Sequence, residues 1–300
     1  MLFIFSILLP LLLISFLGYA LTRWNVLGGT WFEGVNLLTS KVLVPSLLFL
    51  GMFKTGLPSQ ISWQVLCSFY LPMLLLFLAV HIFYKNSHSP AMALSSVYCN
   101  SIFMGIPLLM QSLGEGSLQY AFPVIAFHSL FSFGLYYWAH AAYGDEPQQR
   151  LQVLITSIKN PIVASLLLGL AFHSLHIALP EGVSIMLDML AKAALPCALI
   201  VLGASLANFR LQQSTIMLVV LCLKLLMLPL LVFACAHFVF AIPKDVTAVL
   251  VLIAACPVGV NAYSVVQEKG GDTSLVSSAI LASSLLSILS LPFFIWLVKL

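Results

Sequence analysis

Long apolar runs separated by short polar turns make up almost the whole chain. A helix needs about 20 apolar residues to cross a bilayer, so these runs predict ten spans, at roughly 2–22, 35–54, 64–84, 90–112, 117–140, 160–178, 184–205, 214–240, 246–267 and 274–298. Two spans are interrupted. Asn100 to Leu109 reads NSIFMGIPLL, which sets an asparagine, a glycine and a proline inside the fourth run, and Cys256 to Tyr263 reads CPVGVNAY inside the ninth. Lipid offers no hydrogen-bond partner to freed backbone groups, so such breaks are expected only where protein or a water-lined cavity surrounds them.

The breaks occupy corresponding places in two halves of the chain. The most polar stretch, Gly144 to Arg150 (GDEPQQR), lies between those halves and reads as a linker. Span 2 carries Lys41, Pro45, Leu48 and Gly51, and span 7 carries Lys192, Pro196, Leu199 and Gly203. Span 4 leads into Leu113-Gly114-Glu115-Gly116, and span 9 into Lys269-Gly270-Gly271-Asp272. These parallels predict an all-α integral membrane protein built from two five-helix repeats, residues 1–143 and 159–300, joined by a cytoplasmic linker at 144–158. An odd number of spans per repeat places the copies in opposite orientations. Matched interruptions in inverted repeats are the sequence pattern of secondary carriers, whose sites lie where the broken helices meet. Prolines 10, 72, 123, 229 and 292 lack an attendant polar cluster and read as ordinary kinks.

Composition sharpens this reading. Of 300 residues 62% are hydrophobic and 7% charged, against roughly 25% charged in soluble domains. No length remains for a soluble domain, and a net charge of +3 is too small to argue for a nucleic-acid partner. Met1-Leu2-Phe3 has no basic side chain ahead of the first run, and Arg23 follows it. Span 1 is therefore expected to remain in the mature protein. With the N-terminus outside, Arg23, Lys85, Arg150, Lys159, Arg210 and Lys269 fall on the cytoplasmic side and Lys54, Lys244 and Lys299 on the outer side. That bias favours both termini outside a bacterial inner membrane. The six cysteines all fall in spans without metal-ligand spacing, so no disulfide, metal or cofactor is expected. No GxSxG, HExxH or Walker loop is present, so the chain does not read as an enzyme.

Candidate site residues follow from the breaks. Asn100, Ser101, Gly105 and Pro107 in span 4, with Pro257, Gly259 and Asn261 in span 9, offer amides, a hydroxyl and freed backbone groups at mid-membrane. Half-helix N-termini facing one another there would suit a carboxylate; the competing reading is a pair of structural kinks whose asparagines satisfy their neighbours. Ionisable residues within spans are costly enough to be functional candidates. They are Lys41, Lys192, Lys224 and His128, against the single acid Asp188, which can pair with Lys192 one helical turn on. The surplus is positive, which suits an anionic substrate. Lys41 and Lys192 could equally snorkel to a surface, and His128 could be a core residue or a proton carrier.

At these residues the chain resembles the auxin efflux carrier family. The resemblance rests on NSIFMGIPLL with Gly114, on Lys159-Asn160-Pro161, on Leu202-Gly203, on Lys224 to Pro229, and on CPVGVNAYSVVQEKGGD from Cys256 to Asp272. It implies a fold shared with bile-acid symporters, in which spans 4 and 9 cross. Spans 1, 2, 6 and 7 would form a scaffold, often dimeric, past which spans 3, 4, 5, 8, 9 and 10 move in an elevator-type alternation. Asn100, Pro107 and Pro257 match family positions, whereas Asn261 departs from the plant pattern and span 3 offers only His81 as a charged support. The implied substrate is accordingly a small mono- or dicarboxylate rather than auxin. The alternatives are a sodium-coupled symporter of a larger amphipathic anion, and, from another class, a membrane receptor or intramembrane enzyme.

Overall fold

A computed structural model describes residues 2–27, 30–56, 63–141, 161–209, 211 and 214–299. The linker at 144–158, together with Arg150, Lys159 and Arg210, lies outside the described residues. Every named element is helical, as expected where the only partners for backbone N–H and C=O groups are in the segment itself. In chain order the helices are α1 (Leu2–Arg23), α2 (Trp31–Leu38), α3 (Val44–Thr55), α4 (Trp63–Tyr84), α5 (Ser89–Val97), α6 (Ile106–Leu113), α7 (Leu118–His140), α8 (Pro161–Ser174), α9 (Glu181–Asn208), α10 (Thr215–Cys222), α11 (Leu228–Ala234), α12 (Lys244–Ala255), α13 (Asn261–Glu268) and α14 (Thr273–Lys299). Among the described residues, six continuous helical stretches are long and apolar enough to cross a membrane: 31–55, 63–84, 115–140, 181–208, 215–239 and 273–299.

Several prolines act in a common way. Pro45, Pro107 and Pro229 each stand second in a helix that follows a five-residue π turn: Thr39–Leu43, Ser101–Gly105 and Leu223–Met227. A proline cannot donate to the carbonyl four residues back. The helix widens ahead of it instead, and the preceding residue donates five residues back: Val44 to Thr39, Ile106 to Ser101 and Leu228 to Leu223. Pro229 is therefore not the plain kink its sequence context suggested, whereas Pro10, Pro72, Pro123 and Pro292 lie in continuous helix. Pro196 does too. The paired Lys-x-x-x-Pro segments of spans 2 and 7 thus differ locally.

The interior is organised around the two interrupted helices. All nine residues of α5 are buried, as is α12 from Val246 to Ala255. Helices buried on every side belong at the centre of a bundle. The large apolar side chains left exposed, such as Leu13, Phe16, Leu75, Phe83, Phe238 and Leu289, lie on the peripheral helices and the turn after α11. They suit contact with lipid tails, which are as apolar as the side chains themselves.

At the edge of the bundle, α1 packs along α9 and α3 along α8. The first contact is backbone to backbone: a Cβ on Gly18 would overlap the Ile200 carbonyl, and one on Gly203 would overlap the carbonyl of Ser15. Small residues that let helices approach closely are the usual basis of membrane helix association. Gly203→Leu is expected to lower the melting temperature of the purified protein by forcing α1 from α9, since overpacking costs about 1–3 kcal/mol or more. An unchanged melting temperature would mean that the two helices are not held at that spacing.

Candidate functional site

The helix of α5 stops at Val97 and that of α12 at Ala255. Beyond them the chain is extended at Tyr98 (ψ 121°) and Cys256 (ψ 148°). Cys256 precedes Pro257, and a residue before proline is pushed out of the helical region by contact with the ring. The two extended stretches meet. Cys99 and Val258 form an antiparallel bridge, in which Asn100 N–H donates to the Pro257 carbonyl at 2.8 Å and Gly259 N–H to the Tyr98 carbonyl at 3.2 Å. Four helix halves therefore converge on one point: α5 and α12 bring their C-terminal ends, while the π turn before α6 and α13 begin there.

In such a bridge the N–H groups of the facing residues point away from the partner strand, and buried ones need acceptors. Cys99 N–H donates to His128 Nε2 of α7 at 2.9 Å, and Val258 N–H to Ser283 Oγ of α14 at 3.0 Å. Because Nε2 accepts, the neutral imidazole carries its proton on Nδ1. His128 is fully buried, and its Nδ1 finds no partner among the described residues. The Tyr98 ring stacks on the His128 ring at 5.0 Å with an interplanar angle of 4°. Its hydroxyl lies 3.2 Å from Ser129 Oγ, with the Asn261 side chain nearby. Gly259 fits beneath that ring, where a Cβ would overlap it.

The seven residues singled out by sequence do not play equal parts. Asn100 is 4% exposed, and its carbonyl accepts from Gly105 N–H at 2.9 Å, which opens the π turn. Its side-chain amide nitrogen has no partner among the described residues. Ser101 is buried in the first residue of that turn, and Asn261 is exposed at the start of α13. Pro257 and Gly259 lie in the bridge itself. Gly105 and Pro107 do not: they belong to the resumed helix, because Pro107 at its second position keeps a helical φ and needs no donor there. The first break is consequently at Tyr98–Asn100, several residues before the proline.

The four candidate charges divide. Lys224 is fully buried in the π turn between α10 and α11; its Nζ donates to the Ala254 carbonyl at 2.7 Å and lies 3.3 Å from Cys99 Sγ. With His128 it flanks the crossing. Lys41 and Lys192 do not reach it: both are exposed, and Lys192 Nζ pairs with Asp188 at 2.7 Å, with Lys54 on the other carboxylate oxygen's side at 3.7 Å. Such exposed pairs contribute little. His81 Nδ1 meets Ser89 Oγ at 3.0 Å and ties α4 to the start of α5. Tyr98, Cys99, Ser129 and Ser283 were not singled out in the sequence. An aromatic and two serines in apolar runs carry no signal of their own, and Cys99 differs only in adjoining Asn100. Among the described residues no group of three or more His, Cys, Asp or Glu side chains could hold a metal ion.

Comparison with known proteins gives the following matches. A family model described as membrane transport protein matches residues 3–141 and 147–295. A protein of Methanothermobacter thermautotrophicus named "Uncharacterized transporter" is 29% identical over 300 residues, covering 95% of each chain. A Rhizobium meliloti protein named "Putative malonate transporter" is 24% identical over 306 residues, covering 98% of this chain and 95% of that one.

Proposed function

The chain belongs to the auxin-efflux-carrier-like membrane transport protein family, and from that premise we propose that it is a secondary carrier of small carboxylates whose site is the crossing of the two interrupted helices. The observation that carries this reading is the Cys99–Val258 bridge, which joins two helix starts to two helix ends in the interior of the bundle. Helix starts present N–H groups without intrahelical acceptors and a partial positive charge. With Asn100, Ser101 and Asn261 beside them and Lys224 behind, they form an environment for a carboxylate. Malonate is the first candidate, on the name of the Rhizobium meliloti relative.

Alternating access follows from the proposed architecture, ten helices in two inverted repeats in a bacterial inner membrane with both termini outside. Two features support the repeat. The pairing of α1 with α9 and of α3 with α8 is the exchange of partners that a two-fold relation between spans 1 and 6 and spans 2 and 7 would give. His128 of α7 and Ser283 of α14 also serve the same purpose on opposite sides of the bridge. On this reading α1, α2, α3, α8 and α9 form the scaffold, as a homodimer surrounded by lipid, and the remaining helices carry the site past it. Binding calls for no cofactor, and a sodium site would need several oxygen ligands.

The test is counterflow in proteoliposomes with a panel of labelled mono- and dicarboxylates. Exchange of at least one small carboxylate, with malonate first, is the expected result. No exchange by folded, reconstituted protein across the panel would overturn the reading.

A further inference from the structure

Lys224 is a fully buried cation without an anionic partner among the described residues. The ion pairs of Lys54, Lys192 and His88 lie elsewhere and do not include Lys224. Its ammonium is held instead by a helix end. Ala254 is the last residue but one of α12, so its carbonyl is among those that no later N–H of the helix can reach. The aligned peptide dipoles give such an end about half a negative charge. The C-terminal end of α5 adds a similar half-charge beside Cys99, but the two helix starts at the crossing offset both ends, so the ammonium remains the surplus charge there, and its other contact, Cys99 Sγ, is a weak acceptor.

The position of this charge is as telling as its burial. Ala254 leads through Cys256 into one side of the bridge, and Cys99 is the facing residue on the other side. Lys224 is the second residue of the π turn before Pro229 and is buried there, and such single π turns inside helices are frequent at functional sites. The ammonium therefore touches one crossing strand and the helix end that leads into the other, and in a low-dielectric interior its field extends several ångströms beyond them.

We propose that Lys224 is the resident counter-cation of the carboxylate site, a fixed positive charge that supplies from within the chain what a co-bound inorganic cation would otherwise supply. This rests on the carboxylate-carrier reading of the crossing and adds to it the source of the compensating charge. A hard cation in the same place would find the Ala254 carbonyl and a thiol, far short of the six or more oxygens calcium takes and poor in the oxygen donors other hard cations share that need for. An ammonium on a tether needs only acceptors along its N–H directions. Carboxylate binding by the wild type is then independent of sodium, and removal of the charge weakens binding without removing any group from the site itself.

Three substitutions separate charge from packing. Lys224→Met keeps the length of the side chain, Lys224→Arg keeps the charge, and Lys224→Ala leaves room for n-propylammonium. Each is purified, checked by thermal melting and assayed by counterflow of labelled malonate with sodium or N-methylglucamine as the only added cation. The wild type is expected to exchange malonate equally in both buffers. Lys224→Met should weaken apparent affinity by about tenfold or more, Lys224→Arg should retain most of it, and n-propylammonium should restore Lys224→Ala but not Lys224→Met. A packing role would instead leave Lys224→Met, which fills the same space, close to wild-type affinity. Sodium dependence of the wild type, wild-type affinity in Lys224→Met, or no rescue of folded Lys224→Ala would overturn the proposal. A wild type that exchanges no carboxylate would instead overturn the reading of the site on which it rests.

Discussion

Asn100→Ala is expected to lower the apparent affinity for the exchanged carboxylate by about 10- to 100-fold while leaving the protein folded. Two features of Asn100 lead to this. Its backbone does the structural work, donating to the Pro257 carbonyl and accepting from Gly105, and alanine keeps both bonds. Its side-chain amide nitrogen is buried without a partner among the described residues. A buried donor left unpaired costs about 1–3 kcal/mol, so the empty protein loses little when the amide is removed. A bound carboxylate that accepts from that nitrogen would gain a hydrogen bond to a charged group, worth about 1.5–3 kcal/mol, and each 1.4 kcal/mol is a factor of ten. Counterflow across a range of substrate concentrations, with melting curves of both proteins, checks this. Wild-type affinity in a folded Asn100→Ala protein would remove Asn100 from the site.

The second large effect is expected at Gly259, where the smallest possible side chain should disable the crossing. A Cβ there overlaps the Tyr98 ring, and that ring cannot easily give way: it is stacked on His128 and packed against the Phe133 ring at 4.8 Å. The Gly259 N–H bond to the Tyr98 carbonyl would have to lengthen or break. Overpacking in a tight interior costs about 1–3 kcal/mol and sometimes more. Gly259→Ala should therefore lower the melting temperature and abolish exchange together, unlike Asn100→Ala, which should affect exchange alone. Gly259→Ala with normal melting and normal exchange would contradict the close approach of the two strands.

Legibility in the sequence followed the strength of the local signal. The apolar runs and the polar turns that end them are long and unambiguous, and helices occupy those positions. The second break was legible to within a residue, because Cys256-Pro257 excludes helix at Cys256. The first break has no proline at its centre. Asn100, Gly105 and Pro107 marked the region, but a proline in the opening turn of a helix is a compatible residue, so the extended residues are Tyr98 to Asn100, ahead of it. For Lys41 and Lys192 the sequence left a site role and snorkelling to a surface both open; the two are exposed and Lys192 is paired with Asp188. What decides the difference is which face of the bundle a helix turns inward. That depends on neighbours far away in sequence, as does the use of Ser283 and His128 as acceptors for the bridge.

His128 illustrates how tertiary contacts narrow a sequence reading. A histidine in a membrane span suggests either a core residue or a proton carrier. Acceptance of the Cys99 N–H by Nε2 gives it a definite structural task that requires the neutral ring, since an imidazolium has no lone pair to offer.

Contact between a carboxylate and the crossing itself can be measured by dipolar recoupling in solid-state NMR, with carboxyl-¹³C malonate bound to protein carrying ¹⁵N in its asparagine side chains. The account predicts transfer to asparagine nitrogen in the wild type, weaker transfer in Asn100→Ala and none in Asn100→Ala/Asn261→Ala. Bound malonate that shows no transfer in the wild type, or undiminished transfer in the double variant, would contradict it.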